Sequence, residues 1–468
     1  MKVAVVGGGW AGLSAALTLR QAGVAHVSVF EAGPRPGGRA RRIDHPDFPA
    51  GLDNGQHILL GAYRDSLALI EHLASQTANS QRARLHRYPL HLESLDGHFR
   101  LHAPGRWPAP LNVILALASA RGLSLAARGQ AVRLMLALRR WGWQVPIEWS
   151  VDQLLARLRQ GSELRQRLWH PLCLAALNTP VQQASAALFA RILRDGLAEE
   201  RQASDLLLPG CDLGELWPDA AIRQVDWRPG NAITAIEHTP DGWRLLRASA
   251  PTDDAAPTGG HETGAPYDAL ILAVPPPQAA RLLHPLPGRP GSARLLQTLA
   301  VFDFEAIATL NLKLAAPWQL PFPMMQLDDQ DGRQPGHWIF DRANLTGRPE
   351  CGELSIVGSV AGPFLEAGRE ALAQAMDAQW RRQWQARTTS SRIGQPAPAA
   401  PPATLAHALV VEKRATFSAR PGLARPGAVS PWPGLYLAGD WTDTGYPGVL
   451  EGAVRSGQEA ARRLLRMA

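Results

Sequence analysis

Three cysteines in 468 residues, Cys173, Cys211 and Cys351, are too few, too scattered and odd in number to form a disulfide framework or a metal cluster. The chain therefore reads as a reduced, cytosolic protein whose thiols are expected to pack in the core. Long apolar runs are also missing. Nothing approaches the roughly 20 residues needed to cross a bilayer, so any membrane contact should be peripheral. The first residues lack a charged leader followed by an apolar stretch; VAVVGGGWAGL reads instead as a strand and a turn, and a signal peptide is not expected. Zinc-finger spacing, an RNP-like aromatic pattern and blocks of consecutive basic residues are absent as well. Nucleic acid is therefore not an expected partner, despite a net charge of +7 and a pI near 9.8.

What is present suits a folded soluble protein: 46% hydrophobic and 19% charged residues, with 39 Pro and 43 Gly marking many turns. The length exceeds one ordinary core, which predicts two intertwined domains or one large domain with an insertion. Most of the basic excess is arginine, and an anionic membrane surface stays open as a partner.

Val3–Val6 forms a short β-branched run, Gly7 to Gly12 a glycine-rich turn, Leu13–Gln21 a helical pattern and Val27–Phe30 a second strand, giving one βαβ unit. Leu111–Trp143 is rich in Leu, Ala and Arg, and Gly122 and Gly129 are expected to divide it into helices. Its ending, RLMLALRRWGW, has the mix of leucine, arginine and tryptophan found in interfacial helices, although a surface helix packing on the core would read the same way. Residues 151–217 read as mostly helical, with Pro171, Pro180 and Pro209 as breaks. AITAIEH and WRLLRA flank the turn TPDG as antiparallel strands. TDDAAPTGGHETGAPYD is a polar excursion and SSRIGQPAPAAPPAT a proline-rich loop. Asp268–Val274, IATLNLKL, ELSIVGSV and GLYLAGD read as strands, and Glu366–Trp384 and Val449–Met467 as helices. These readings divide the chain into a cofactor-binding part at 1–75, a mainly helical substrate or membrane-facing region at 76–215, cofactor-domain strands at 216–285, a substrate domain with a mixed sheet at 286–407, and a second cofactor-binding part at 408–468.

Gly7, Gly9 and Gly12 match G-x-G-x-x-G between a strand and a helix, the context in which that pattern signals a dinucleotide. The first glycine makes the tight turn, the second admits a pyrophosphate, and the third lets helix and strand pack closely. The helix N-terminus favours phosphate charge. Glu31, 19 residues after Gly12 at the end of the second strand, can accept hydrogen bonds from ribose hydroxyls.

After Glu31 comes AGPRPGGRARR, and Glu31 with Gly37, Gly38 and Arg39 resembles the FAD-binding signature of the amine oxidase and phytoene desaturase superfamily, which NAD-only dehydrogenases generally lack. LYLAGDWTDTGYPGVLEGAVRSG resembles that superfamily's C-terminal segment. The resemblance gives Gly439 and Asp440 the ribityl or phosphate contact. It also places Gly448 at the start of a helix directed at the flavin's pyrimidine edge, where the dipole stabilises a reduced flavin. The fold implied is α/β: a Rossmann-type FAD-binding domain, glutathione-reductase or amine-oxidase-like, with an inserted mixed sheet and helical substrate domain. Residues 408–468 lack Cys and His, so FAD is expected to be non-covalent.

One segment, GLDNGQHILLGAY at 51–63, crowds Asp53, Asn54, Gly55, Gln56 and His57 against an apolar run. It resembles a pattern of the hydroxysqualene dehydroxylases, also called squalene-associated FAD-dependent desaturases, as do WHPLCLAALNTP at 169–180, EKRATF at 412–417 and AGDWTDTG at 438–445. One departure stands out. Where that family continues with a Leu-Pro-Ala-Thr-like turn, this chain has Tyr446, Pro447, Gly448 and Val449, which puts the substrate-facing edge of the flavin in question.

The resemblance implies reductive removal of the allylic hydroxyl of hydroxysqualene, giving squalene for hopanoid or related triterpene synthesis. Such chemistry needs a proton donor, an apolar tunnel and exclusion of water. His57, Asp53 and Glu451 are the candidate donors, in that order, His57 because imidazole titrates near neutral pH. Each has a structural alternative: His57 as a hydrogen-bonding group, Asp53 and Asn54 as loop supports beside the flavin, Glu451 as a helix N-terminal charge. Asn178 and Thr179 either line the tunnel or end a helix before Pro180. The expected setting is the cytoplasm at the inner face of the cell membrane, beside the synthases of the squalene pathway, with a long-chain isoprenoid as substrate and no metal. A carotenoid-type polyene desaturase, an amine oxidase and a prenyl-lipid-binding module on the same fold are the alternatives.

Overall fold

A computed structural model describes residues 1–75, 85–247, 261–262, 264–389 and 399–467. Most of the polar excursion before Asp268 and of the proline-rich loop before Ala399 lies outside the described residues.

Both ends of the described chain build one parallel sheet. Its strands run in the order Asp226–Arg228, His26–Phe30, Lys2–Val6, Ala269–Leu272, Leu435–Leu437, each neighbour parallel to the next. Val3, Ala4 and Val5 are fully buried because both faces of such a sheet are covered. Two helices from opposite ends of the sequence, Trp10–Gln21 and Leu450–Met467, pack together over it. Gly457 permits their close approach, since a Cβ there would lie 2.0 Å from the Ala11 carbonyl oxygen. The Ser14 hydroxyl donates to the Val454 carbonyl at 2.9 Å across the same contact.

A second, antiparallel sheet has the order Met324–Gln326, Trp338–Asp341, Glu353–Gly358, Phe304–Leu314, Thr404–Phe417. One of its faces packs on helix Arg369–Thr389 through Leu372, Met376, Trp380 and Trp384. Residues 111–193 are mainly helical and share a core with Phe30, Leu270 and Phe417.

Several elements depart from the sequence reading. The first helix begins at Trp10, not Leu13. Gly129 does not interrupt a helix; it lies within Leu125–Arg140, where neighbouring Ala, Leu and Arg offset its penalty of about 1 kcal/mol. Leu206–Pro209 is a strand rather than part of the helical region, because its leucines are buried between Leu59–Leu60 and Leu85–Tyr88. Cys173 is buried as expected, whereas Cys211 and Cys351 are only partly so.

Candidate active site

The two sheets meet around a cavity of about 960 Å³. On the parallel-sheet side it is lined by Gly7, Gly9 and Ala11, by Glu31 and Gly33, by Gly37 to Arg39, and by Gly439 and Asp440. Gly7 has φ +110°, and a Cβ there would sit 2.4 Å from the Ala273 carbonyl oxygen; at Gly12 it would sit 1.9 Å from the Gly7 oxygen. These two glycines are steric necessities of the turn. Gly9 differs. An added Cβ would have nothing nearer than Gly38 Cα at 3.8 Å, so its bareness leaves room at the cavity wall. The Gly37 N–H donates to the Gly8 carbonyl at 2.9 Å and seats one glycine turn on the other.

Glu31 fixes this cradle from below. Its two carboxylate oxygens accept from the Gly8 N–H at 2.7 Å and the Gly33 N–H at 2.8 Å, which leaves further acceptor capacity toward the cavity. No side chain caps helix Trp10–Gln21, and its first turn carries no acid. Its N-terminal N–H groups and partial positive charge are thus directed at a space made of bare backbone, which suits a pyrophosphate. The residues present fit FAD.

Arg39 is part of the cavity wall. It donates to Asp440 at 2.6 Å and to the Ala415 carbonyl at 2.7 Å. Burial alone would lower its pKa, but the Asp440 charge and hydrogen bond, with help from Glu412, hold it above the ordinary value. Asn54 is buried and donates to the Arg39 carbonyl at 3.1 Å and to Glu412 at 3.0 Å. The polar stretch at 53–57 therefore connects the glycine cradle to strand Thr404–Phe417. Gly448, Val449, Leu450 and Ala453 line the cavity at the start of the C-terminal helix, and the Gly439 N–H donates to Ser456 at 2.8 Å.

The antiparallel sheet and one helix supply the other walls. Leu174, Ala175, Ala176 and Asn178 come from WHPLCLAALNTP; Ile307, Thr309, Trp338, Phe340, Val357 and Val410 come from the strands; Ile58 and Tyr63 follow His57. The surface is largely aliphatic and aromatic. Asn178 takes a left-handed conformation, φ +43°, at the end of helix His170–Leu177, and also lines the cavity. Its amide donates to Thr416 at 3.0 Å and accepts from the Val360 N–H at 2.9 Å, so it both ends the helix and joins the two walls. Thr179 does not line the cavity; it bonds to the Leu177 carbonyl and the Ala419 N–H.

Of the three candidate proton donors, only His57 faces this space. Burial pushes its imidazole down to about 4, with the Gly55 backbone opposing and Arg39 adding to the fall. The ring is thus neutral at pH 7, and it departs from the near-neutral titration expected of it. Asp53 is not in the lining; its carboxylate accepts from the Leu213 N–H at 2.9 Å, and burial raises it to about 7. Glu451 also points elsewhere. Its two oxygens accept from the Asp65 and Ser66 N–H groups at 3.1 and 3.0 Å and from the Ser66 hydroxyl at 2.7 Å, which caps helix Arg64–Ala74. Burial raises its pKa against those donors. Sequence spacing placed these acids near the flavin motifs but carried no information on side-chain direction.

Sequence reasoning also passed over Glu412, Tyr63, Thr309 and Trp338, all of them at the cavity. Glu412 and Thr416 lie in EKRATF, the segment whose family resemblance is the signal that points to them. The departure at Tyr446 falls away from the site. Its hydroxyl donates to Asp195 at 2.7 Å, and its ring lies under Arg191 and Arg455, while Gly448 and Val449 alone of that turn reach the cavity.

Residues 10–465 match the family model described as flavin containing amine oxidoreductase. A hydroxysqualene dehydroxylase of Rhodopseudomonas palustris is 31% identical over 99% of this chain and 98% of its own length. The chain belongs to the flavin-containing amine oxidoreductases and, within them, to the hydroxysqualene dehydroxylase family. A second hydroxysqualene dehydroxylase, from Sinorhizobium fredii, is 29% identical over 98% of this chain and 97% of its own. Among solved structures, a putrescine oxidase bound to putrescine superposes with a TM-score of 0.67 at 18% identity, covering 99% of each chain. The cofactor of this oxidoreductase is FAD, and the glycine cradle, Glu31 and Arg39 line the cavity with chemistry that fits it.

Proposed function

We propose that this enzyme removes the allylic hydroxyl of hydroxysqualene reductively and releases squalene, as a step of hopanoid or related triterpene synthesis. The observation that carries the reading is the shared cavity, in which a cofactor cradle runs directly into walls of Leu174, Ile307, Phe340, Val357 and Val410. Bound FAD, once reduced, supplies hydride to the allylic carbon. The chain's own residues do the rest. The apolar walls take up the hydrocarbon and keep water from the allylic cation left when the C–O bond breaks. His57, neutral and in the lining, offers a hydrogen bond to the departing oxygen, and the Tyr63 phenol, kept protonated by burial, gives the proton with which that oxygen leaves as water and regains one from solvent.

The same reading brings a membrane into play. Between Asp96 and Glu148 the sequence holds seven arginines and no acid. Trp107, Leu111, Leu115, Leu125, Leu136, Trp141 and Ile147 are exposed in this stretch, and Arg106, Arg121, Arg139 and Arg140 are exposed beside them. Such a surface suits an anionic leaflet at the inner face of the cell membrane, near the synthases that deliver the substrate. None of residues 107–147 lines the cavity, so these helices would anchor the enzyme rather than form the tunnel. Among the described residues no helix is long and apolar enough to cross a membrane.

The test is anaerobic. The FAD-loaded enzyme is reduced with dithionite, hydroxysqualene is added, and flavin absorbance is followed while lipids are extracted. Reoxidation with stoichiometric squalene supports the reading. A flavin that stays reduced over intact hydroxysqualene overturns it, and oxidation of a polyene or an amine by the oxidised enzyme would put a desaturase or an amine oxidase in its place.

A further inference from the structure

Four residues that line the cavity carry a buried polar atom without a hydrogen-bond partner: Trp10 Nε1, His57 Nδ1, Thr309 Oγ1 and Trp338 Nε1. Leaving such atoms unpaired in an apolar setting is unfavourable, and native proteins rarely do it. Trp10 opens the helix beside the glycine cradle and packs edge-on against Trp217, whereas the other three come from the sheet wall and the polar loop, and their shared cavity points to something that satisfies them.

Their placement is set by the antiparallel sheet. Thr309 and Trp338 lie on either side of Val357, each directly paired with it across a strand boundary. Residues paired in this way share a sheet face, so both side chains project with Val357 toward the cavity. Thr309 is 2% exposed and Trp338 3%. His57 lines the same cavity from the polar loop and lies near Thr309. A Cβ placed on Gly55 would lie 3.4 Å from His57 Cε1 and 3.9 Å from Thr309 Oγ1, so ring and hydroxyl flank the same bare glycine.

The donor and acceptor sets are informative. An indole N–H only donates, a threonine hydroxyl donates or accepts, and a neutral imidazole nitrogen does one or the other according to its tautomer. An alcohol oxygen, which accepts two hydrogen bonds and donates one, complements such a trio, and a hydrocarbon chain does not. We propose that Thr309, Trp338 and His57 form the recognition site for the substrate's hydroxyl oxygen, holding it in an otherwise apolar cavity and distinguishing the alcohol from the hydrocarbon product. This deepens the proposed function and rests on it: the site binds the group that leaves, and loses its partner once that group has gone, which favours release of product.

The experiment uses the oxidised FAD-loaded enzyme, which cannot deliver hydride, so hydroxysqualene and squalene both bind without turnover. Each is titrated against the flavin absorbance spectrum in the wild type and in Thr309→Val, Thr309→Ser and Trp338→Phe. The wild type is expected to hold hydroxysqualene at least tenfold more tightly than squalene. Thr309→Val and Trp338→Phe should each reduce that ratio roughly five- to tenfold with squalene affinity unchanged, and Thr309→Ser, which retains the hydroxyl, should keep it. A wild-type ratio preserved in both Thr309→Val and Trp338→Phe overturns the assignment. So does a change in FAD affinity with the ratio intact, which would mean that the cofactor satisfies these atoms. A wild type that binds neither lipid is a different failure, because it removes the proposed substrate itself.

Discussion

Arg39 donates to Asp440 at 2.6 Å, although the two are 401 positions apart in the sequence. The pair joins the Gly-Gly-Arg turn to the Gly-Asp turn at the cavity wall, with Asp440 almost wholly buried. Asp440→Ala leaves the guanidinium without its main partner at a cost of about 3 kcal/mol, less a discount for the exposed part of Arg39. The variant is expected to lose both thermal stability and bound FAD. Arg39→Lys should lose part of each, because an ammonium cannot hold Asp440 and the Ala415 carbonyl in one planar fork. Full flavin content with a wild-type melting curve in Asp440→Ala would show that the pair does not order the cradle.

Asp53 supplies a pH test that separates support from catalysis. Its folded pKa, about 7, is raised above the ordinary 3.8. The folded state therefore holds a proton that the unfolded chain has released. The stability this carboxyl lends is full below about pH 3.8 and is lost as pH climbs to about 7. Asp53→Asn keeps an oxygen for the Leu213 N–H and removes the ionisation. It should match the wild type near pH 4.5 and exceed it at pH 8 by on the order of 1–3 kcal/mol in denaturant melts. Turnover should persist, and a complete loss of activity in a well-folded, FAD-loaded Asp53→Asn would return Asp53 to the chemistry.

His57 makes a different prediction. With its pKa at about 4, the ring stays neutral from pH 5.5 to 8. The pH profile of kcat/KM over that range should therefore have the same shape in the wild type and in His57→Gln, with activity lowered roughly tenfold by the lost hydrogen bond. An ionisation near pH 6.5 that disappears with His57→Gln would identify the imidazolium as the donor.

The exposed face of residues 107–147 predicts salt-sensitive binding to vesicles. Arg139→Gln with Arg140→Gln removes about 2 kcal/mol of attraction to an anionic leaflet, on the order of 30-fold in partitioning. Sedimentation with phosphatidylserine-rich and with neutral vesicles measures it. Equal binding to both by the wild type would argue against an electrostatic anchor.

How much of this was legible beforehand depends on whether the determinant was local. The βαβ unit and its glycines follow from spacing along one stretch, and the structure reproduces them at Lys2–Val6, Trp10–Gln21 and His26–Phe30. Asn54 was singled out as a polar group near the flavin motifs, but its link to Glu412, 358 positions away, requires the fold. Asp53 and His57 are four residues apart in one polar segment, yet one faces Leu213 and the other the cavity, a difference that only strand Phe48–Asp53 and the turn after it impose. Thr309 and Trp338 were illegible for a related reason. Each lies in an apolar strand where a hydroxyl or an indole reads as packing, and their kinship appears only through the shared neighbour Val357.

The packing of helix Trp10–Gln21 on helix Leu450–Met467, with Gly457 against Ala11, also fixes an order of events during synthesis. The glycine turn leaves the ribosome with the first few dozen residues. The strand beyond Ala269–Leu272, the Asp440 partner of Arg39 and the helix that covers Ala11 all come from residues 435–457. Until residues 435–457 emerge, the sheet has an open edge at Ala269–Leu272 and the helix Trp10–Gln21 lacks its covering partner. A chain truncated before residue 435 lacks the Asp440 partner of Arg39 and the cover over Ala11, and is expected to purify without FAD.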